Sequence, residues 1–183
     1  MLRKLSLHEL GRVDAESFRR QPRLPLILIA DHIRSLLNVG SLFRTADAFA
    51  LEAVWLVGLT GQPPHRELEK TALGATETVP WRYFKTAAEA CGALGQLNAE
   101  LWVLEQTTTP TYLQEFTPVG GKLHALAVGH EVQGVSVDFL AAARGALEIQ
   151  QFGTKHSLNV AVAAGIAVYE IAGKLRELQK IKC

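Results

Sequence analysis

Three short polar stretches carry the residues whose types and spacing suit chemistry. The first, Asn38-Val39-Gly40-Ser41-Leu42-Phe43-Arg44-Thr45-Ala46, sets an amide before a guanidinium. Arg44 lies one to two helical turns beyond Asn38, a spacing at which both can face one pocket. The second, Val128-Gly129-His130-Glu131-Val132-Gln133-Gly134, brackets a carboxylate with two glycines. The third, Gly153-Thr154-Lys155-His156-Ser157-Leu158-Asn159, is a polar turn that runs into a long apolar segment of small residues. Taken singly, the first also reads as a capping Asn with a surface Arg, and the second as a turn with a solvated Glu.

Other chemistries lack their residues. The chain contains no G-x-x-x-x-G-K-S/T loop, no G-x-G-x-x-G fingerprint and no G-x-S-x-G elbow. Its six histidines and two cysteines have no zinc-like spacing, so no metal is expected. Nucleophilic catalysis by the protein is likewise not expected. Amide, hydroxyl, carboxylate and backbone groups in loops suit the binding of a cofactor that carries its own chemistry.

The elements that must position these loops are legible from apolar runs. Strands are expected over 25–30, 53–58, 78–84, 101–104, 123–128 and 147–151, the third near an edge because Pro80 sits inside it. Helices are expected over about 39–50, 68–73, 87–100 and 138–143, with one or two short ones in 1–23. There Ser6-Leu7-His8-Glu9 reads as a capping box, with Leu7, Leu10 and Val13 on one stripe. Ser157 is a natural N-cap, so the last helix is expected to start near Leu158. It should be buried on most faces, since only Glu170 is charged between Val160 and Ala172. Gly40 is expected to permit a tight passage from strand to helix. The alternation predicts an α/β fold with a mainly parallel six-stranded sheet and helices on both faces. The polar clusters then fall beyond the carboxyl ends of the strands, where such sheets bind ligands.

In this order and at these separations, the three stretches resemble motifs 1, 2 and 3 of the SpoU (TrmH-type) branch of the SPOUT superfamily, RNA 2′-O-ribose methyltransferases. The family patterns are N-x-G-x-x-x-R-x-A, G-x-E-x-x-G and I-P-x-x-G-x-x-x-S-L-N-V. The resemblance covers about residues 25–172, and Gln150 stands where the family usually has proline. It implies a deep trefoil knot at the C-terminal end and a homodimer, with Val160–Ala172, Phe43 and Ala46 at the subunit interface. It implies S-adenosylmethionine as cofactor, held by Gly129, Ile149 and Leu158, with Glu105, Gln106 and Thr107 lining the same pocket. Arg44 would be the catalytic arginine, supported by Asn38, with Glu131, Ser157 and Asn159 completing the polar pocket. The alternative is a non-catalytic RNA-binding protein that keeps the fold.

Length and charge fit that reading. The 183 residues suit a catalytic domain over 24–183 preceded by a short basic extension over 1–23, too short for an added RNA-binding domain. Residues 1–23 carry six cationic side chains against three acidic ones, and residues 174–183 four, Lys180 and Lys182 among them, against one. Arg19, Arg20, Arg23 and Lys155 are therefore expected to contact phosphates of a tRNA or ribosomal RNA. Cys91 and Cys183 form no disulfide framework, and no apolar run is long enough for a signal peptide or membrane span, so a cytoplasmic location is expected.

Overall fold

The structure is a computed structural model that describes residues 2–6 and 8–180, the side chains of His8 and Lys180 excepted. Expectations involving Leu7, Lys182, Cys183 or the Lys180 side chain lie outside the described residues. Half of the expected capping box is present: Ser6 donates its backbone N–H to Glu9 Oε2 at 2.8 Å, but its hydroxyl donates to the same oxygen at 2.9 Å and Glu9 N donates to Ser6 O instead.

Apolar runs flanked by turns form a fully parallel sheet. Its strands are β1 (Leu24–Asp31), β2 (Leu51–Val57), β3 (Trp81–Phe84), β4 (Glu100–Leu104), β5 (Thr111–Tyr112), β6 (His124–Val128) and β7 (Gly145–Glu148). Their order is β3-β2-β1-β6-β4-β7-β5. The sheet thus has seven strands rather than six. The extra one, β5, pairs Thr111 with Leu147 and Tyr112 with Glu148 at the edge. Two residues after Pro110 offer no apolar period to read. β3 lies at the other edge and begins after Pro80, whose carbonyl accepts from Val54 N at 2.9 Å, so the proline sits outside the strand. β1 and β6 are buried on both faces, as parallel strands covered by helices must be.

The helices are α1 (Ala15–Arg20), α2 (Leu36–Phe49), α3 (Arg66–Ala72), α4 (Ala75–Thr78), α5 (Ala87–Gln96), α6 (Val137–Ala142) and α7 (Val160–Lys180). Leu26, Leu28 and Ala30 of β1 join the core under α2, α3, α4 and α7. Ile27 and Ile29 join the opposite core under α5 and α6. Helices therefore cover both faces, as the alternation predicted.

Two helix starts depart from expectation in ways that matter for function. α2 starts at Leu36, because Ser35 Oγ accepts from Asn38 N at 3.3 Å and caps it. Gly40 is therefore inside the helix, where its task is close packing: a Cβ there would collide with Leu68 O and Thr71 Oγ1 of α3. α7 starts at Val160 and is capped by Asn159, not Ser157; Asn159 Oδ1 accepts from Ala161 N at 2.9 Å and Val162 N at 3.3 Å. Ser157 and Leu158 stay in the preceding loop.

α7 also differs from a helix buried on most faces. Ala164, Ala167, Val168 and Ile171 are buried in the chain's own core, while Val162, Ile166 and Tyr169 are 52%, 41% and 69% exposed. Phe43 and Ala46 are fully buried in the same core, so they are not available to a subunit interface. The segment leading into α7 lies against the 105–123 connection: Gln106 Nε2 donates to His156 O at 3.0 Å, and Gln114 Nε2 to Gln150 Oε1 at 3.2 Å. Further along, Lys174 Nζ donates to Gln114 O and Phe116 O at 2.6 and 2.8 Å.

Candidate active site

β6 lies between β1 and β4, where the strand order changes direction. The crevice beyond the carboxyl ends of such strands is where parallel sheets bind ligands. A cavity of about 580 Å³ opens there, walled by Leu104, Val128, Leu147, Ile149 and Leu158 and by polar groups of Glu105, Glu131 and Ser157. Its size suits a small-molecule cofactor.

The polar side chains of the three stretches form one hydrogen-bonded chain at this cavity. Asn38 Nδ2 donates to Glu131 Oε1 at 3.1 Å, and Asn159 Nδ2 donates to Asn38 Oδ1 at 3.2 Å. Residues 93 and 121 positions away along the chain are thus joined through one amide. Burial by itself would raise the Glu131 pKa. Hydrogen bonds from its own backbone, the Asn38 amide and the backbone of Arg34 and Ser35 together outweigh burial and hold it below the ordinary glutamate value. Glu131 is therefore an ionised acceptor at neutral pH, which fixes Asn38 with its amide nitrogen toward the carboxylate.

Backbone geometry explains the paired glycines. His130 and Gly134 exchange backbone hydrogen bonds at 3.0 and 2.9 Å, closing a tight loop that carries Glu131. A Cβ on Gly129 would collide with the backbone of Gly134 and Val135, and Gly134 has a left-handed φ of 72° against Glu105 Oε2. Asp31, fully buried at the end of β1, anchors the far side of this loop by accepting from Ser136 N at 2.7 Å.

Most expected site residues come together. Glu105, Gln106, Gly129, Glu131, Ile149, Ser157, Leu158 and Asn159 line the cavity, and Asn38 reaches it through its hydrogen bonds. Thr107 is not among the walls. Arg44 does not face the pocket with Asn38. It lies six residues on, exposed, with no hydrogen bond or ion pair among the described residues. Six residues at 3.6 per turn place it roughly 120° around the helix from Asn38. Lys155 is exposed and also lies outside the walls.

Arg19, Arg20 and Arg23 precede β1, so they belong to the amino edge of the sheet. An eight-residue strand at about 3.3 Å per residue separates that edge from the cavity by roughly 25 Å. Arg19 donates to Glu77 O at 3.0 Å and Arg23 to Thr78 O at 3.0 Å, holding α1 and the start of β1 to α4. Arg20 pairs with Glu16.

Glu105, expected to line the pocket, and His130, which was given no role from the sequence, both shape the loop that carries Glu131. Glu105 acts as a brace, accepting from Gln106 N at 2.9 Å and Val135 N at 3.1 Å. His130 Nδ1 accepts from Val132 N and Gln133 N at 3.0 and 3.2 Å and shapes the loop tip. The available signal was their place immediately after strands β4 and β6. Among the described residues no cluster of His, Cys, Asp and Glu could hold a metal ion, and no helix is long and apolar enough to cross a membrane.

Known proteins resemble this chain in sequence and in fold. The chain is 29% identical over 171 residues to the 23S rRNA (guanosine-2′-O-)-methyltransferase RlmB of Pasteurella multocida, covering 93% of this chain and 69% of that protein. It is 29% identical over 160 residues to the tRNA (guanosine(18)-2′-O)-methyltransferase of Thermus thermophilus, covering 87% and 79%. In fold it is similar to the A. aeolicus TrmH/SpoU tRNA modifying enzyme, with a TM-score of 0.77 at 22% identity over 91% of each chain. Residues 25–169, from the start of β1 to the middle of α7, match the SpoU rRNA Methylase family, and the chain belongs to that family.

Proposed function

We propose that the chain is an RNA 2′-O-ribose methyltransferase that uses S-adenosylmethionine and acts on tRNA or ribosomal RNA. The observation that carries this reading is the hydrogen-bonded chain Glu131–Asn38–Asn159 at the mouth of the cavity. The relatives named above, one acting on ribosomal RNA and one on tRNA, support both the reaction and the substrate class.

The residues present fit the cofactor. Leu104, Val128, Leu147 and Ile149 offer an apolar slot for an adenine, and Gly129, Ile149 and Leu158 supply backbone groups around it. Glu105 and Gln106 close the side next to β4. When bound, S-adenosylmethionine supplies a methyl group on a sulfonium, already activated for attack by a hydroxyl oxygen. The chain then has to orient the ribose 2′-hydroxyl and stabilise the charge that grows on its oxygen. Orientation alone is worth roughly 7–11 kcal/mol. Asn38 is pinned by Glu131 and Asn159, and Ser157 stands beside them with a hydroxyl free to meet the nucleotide. Arg44 serves as a bidentate clamp on the target phosphate and a positive charge near the hydroxyl, not as a base, because a guanidinium keeps its proton at neutral pH. Lys155 adds a phosphate contact.

Arg44 does not belong to the cavity of its own chain, so this reading needs a second subunit. The exposed side of α7 offers the surface for it. Val162, Ile166 and Tyr169 line an apolar groove of about 610 Å³ together with Phe152, which is 94% exposed. Ile149 borders both this groove and the cofactor cavity. A homodimer closed there brings a second copy of the chain next to the site. The same reading makes 24–183 the catalytic domain, with 1–23 as an appended basic segment, and threads the 149–159 segment through the 105–123 connection as a trefoil knot. It also sets the protein in the cytoplasm with its RNA.

Incubation with radiolabelled S-adenosylmethionine and separate pools of unmodified tRNA and ribosomal RNA tests the function. Label in one pool is expected. Label in neither pool, with no calorimetric binding of the cofactor, would favour the non-catalytic RNA-binding reading.

A further inference from the structure

The carboxyl edge of β1, β2 and β3 adjoins the cavity but has no task in it. Residues 32–35, 58–62 and 85–86 follow these strands and include His32, Arg34 and Lys85 but no carboxylate. Arg34 and Lys85 are exposed, and among the described residues neither side chain has a hydrogen bond or ion pair. The carboxylates that border this edge are engaged. Glu89 Oε2 accepts from Lys85 N at 2.9 Å, Glu131 accepts from Asn38, and Asp31 is fully buried. The edge is continuous: His32 N donates to Val57 O, and Gly58 N to Phe84 O, each at 3.1 Å. Tyr83 Oη donates to Gly58 O at 3.0 Å. At about 4.8 Å between strands, these three ends span roughly 10 Å.

His32 is the unusual residue of the edge. Its φ of 53° is left-handed, a conformation that a residue with a Cβ adopts at a cost. Its Nδ1 accepts from Leu59 N at 3.3 Å, so the neutral ring carries its proton on Nε2. That nitrogen lies 3.9 Å from Asp31 Oδ1, a buried oxygen with no hydrogen-bond partner. Beneath the ring is Gly58, where a Cβ would collide with the imidazole. The ring is thus held in one place with 36% of the side chain exposed, flanked by Tyr83 and by the 73% exposed Leu59. A strained backbone, a fixed ring and a glycine beneath it amount to more than a turn requires.

We propose that the RNA strand adjoining the target ribose crosses this edge, with Arg34 and Lys85 on its phosphates and a base stacked on His32. The proposal rests on the methyltransferase reading and names where its substrate lies. Charge chooses the partner. An acid-free cationic edge with exposed rings fits a polyanion that also presents stacking faces. Arg34 leads directly to the cavity, because its backbone belongs to the group that holds Glu131.

The test measures the affinity of the whole chain for a fluorescently labelled, unmodified tRNA transcript at several salt concentrations. Arg34→Gln combined with Lys85→Gln is expected to flatten the dependence of log Kd on log salt by about 1.4 to 1.8, at roughly 0.7–0.9 per phosphate. Arg19→Gln combined with Arg20→Gln, at the amino edge, is expected to leave the slope as it was. His32→Gly removes the ring and relieves the left-handed strain, so it stays folded. It is expected to weaken binding about fivefold or more with the slope unchanged. His32→Asn, which tolerates the same backbone, is expected to behave alike. A wild-type slope in the double variant, or wild-type affinity in His32→Gly, overturns the proposal. Calorimetry with S-adenosylmethionine separates its failure from that of the wider reading. Cofactor binding with those null results removes the edge alone, whereas a wild-type chain that binds neither cofactor nor tRNA removes both.

Discussion

At the scale of single residues, the site is defined by which groups are held and which are free. Glu131 is held, and its lowered pKa carries a pH signature. A carboxylate depressed on folding contributes stability that is present above the ordinary glutamate pKa of about 4.3 and lost as pH falls through the folded value. Wild type should therefore lose more stability than Glu131→Gln below about pH 4.3, as read from melting curves. Parallel curves for the two proteins would remove the hydrogen-bonded carboxylate from the account. Arg44 is free, without a hydrogen bond or ion pair among the described residues. Arg44→Ala should lower methylation at least about 100-fold while cofactor affinity stays near wild type. Arg44→Lys should rescue poorly, since an ammonium cannot form the bidentate clamp. Cofactor affinity falling in step with activity would contradict that role. The identity of Asn38, Glu131 and Asn159 was legible because their motifs are ordered. That they share one amide was not, because contacts over 93 and 121 positions leave no trace in local spacing. The expected meeting of Asn38 and Arg44 failed for a helical reason: six residues do not return to one face.

At the scale of elements, the strands that position the site were legible because β1, β2 and β6 are built on the apolar runs 26–30, 53–57 and 125–128. β5 was not legible, being two residues that pair only through tertiary context. The helix starts were missed by two or three residues because Ser35 and Asn159 compete with their neighbours as caps. Those shifts change what residues do. Gly40 becomes the point at which α3 packs on α2, so Gly40→Ala should lower stability by about 1–3 kcal/mol through overpacking. Chemical denaturation checks this. An unchanged midpoint would mean that α3 can move away without penalty, and the close approach at Gly40 would lose its significance.

At the scale of the whole molecule, one chain supplies a cavity, a polar mouth and a basic edge, but not an arginine at the mouth. The proposed dimer places a second copy on the apolar face of α7 beside Ile149. Replacing Tyr169 and Ile166 by glutamate should shift the protein to monomers in sedimentation and abolish methylation. It should leave the fold intact, because Ile166 and Tyr169 are 41% and 69% exposed. A second test mixes Arg44→Ala subunits with Asn159→Ala subunits. Two mutant subunits should regain activity together if Arg44 serves the partner's cavity, because one of the two sites in the mixed dimer is then whole. Mixtures as inactive as either parent would confine Arg44 to its own chain.

The most direct test of the account is the chemical position of the transferred methyl group. RNA labelled by the wild-type chain with radioactive S-adenosylmethionine is hydrolysed in alkali, which cleaves only next to a free 2′-hydroxyl. Label is expected in an alkali-resistant dinucleotide, marking a methylated ribose. Label in ordinary mononucleotides, and so on a base, would contradict it.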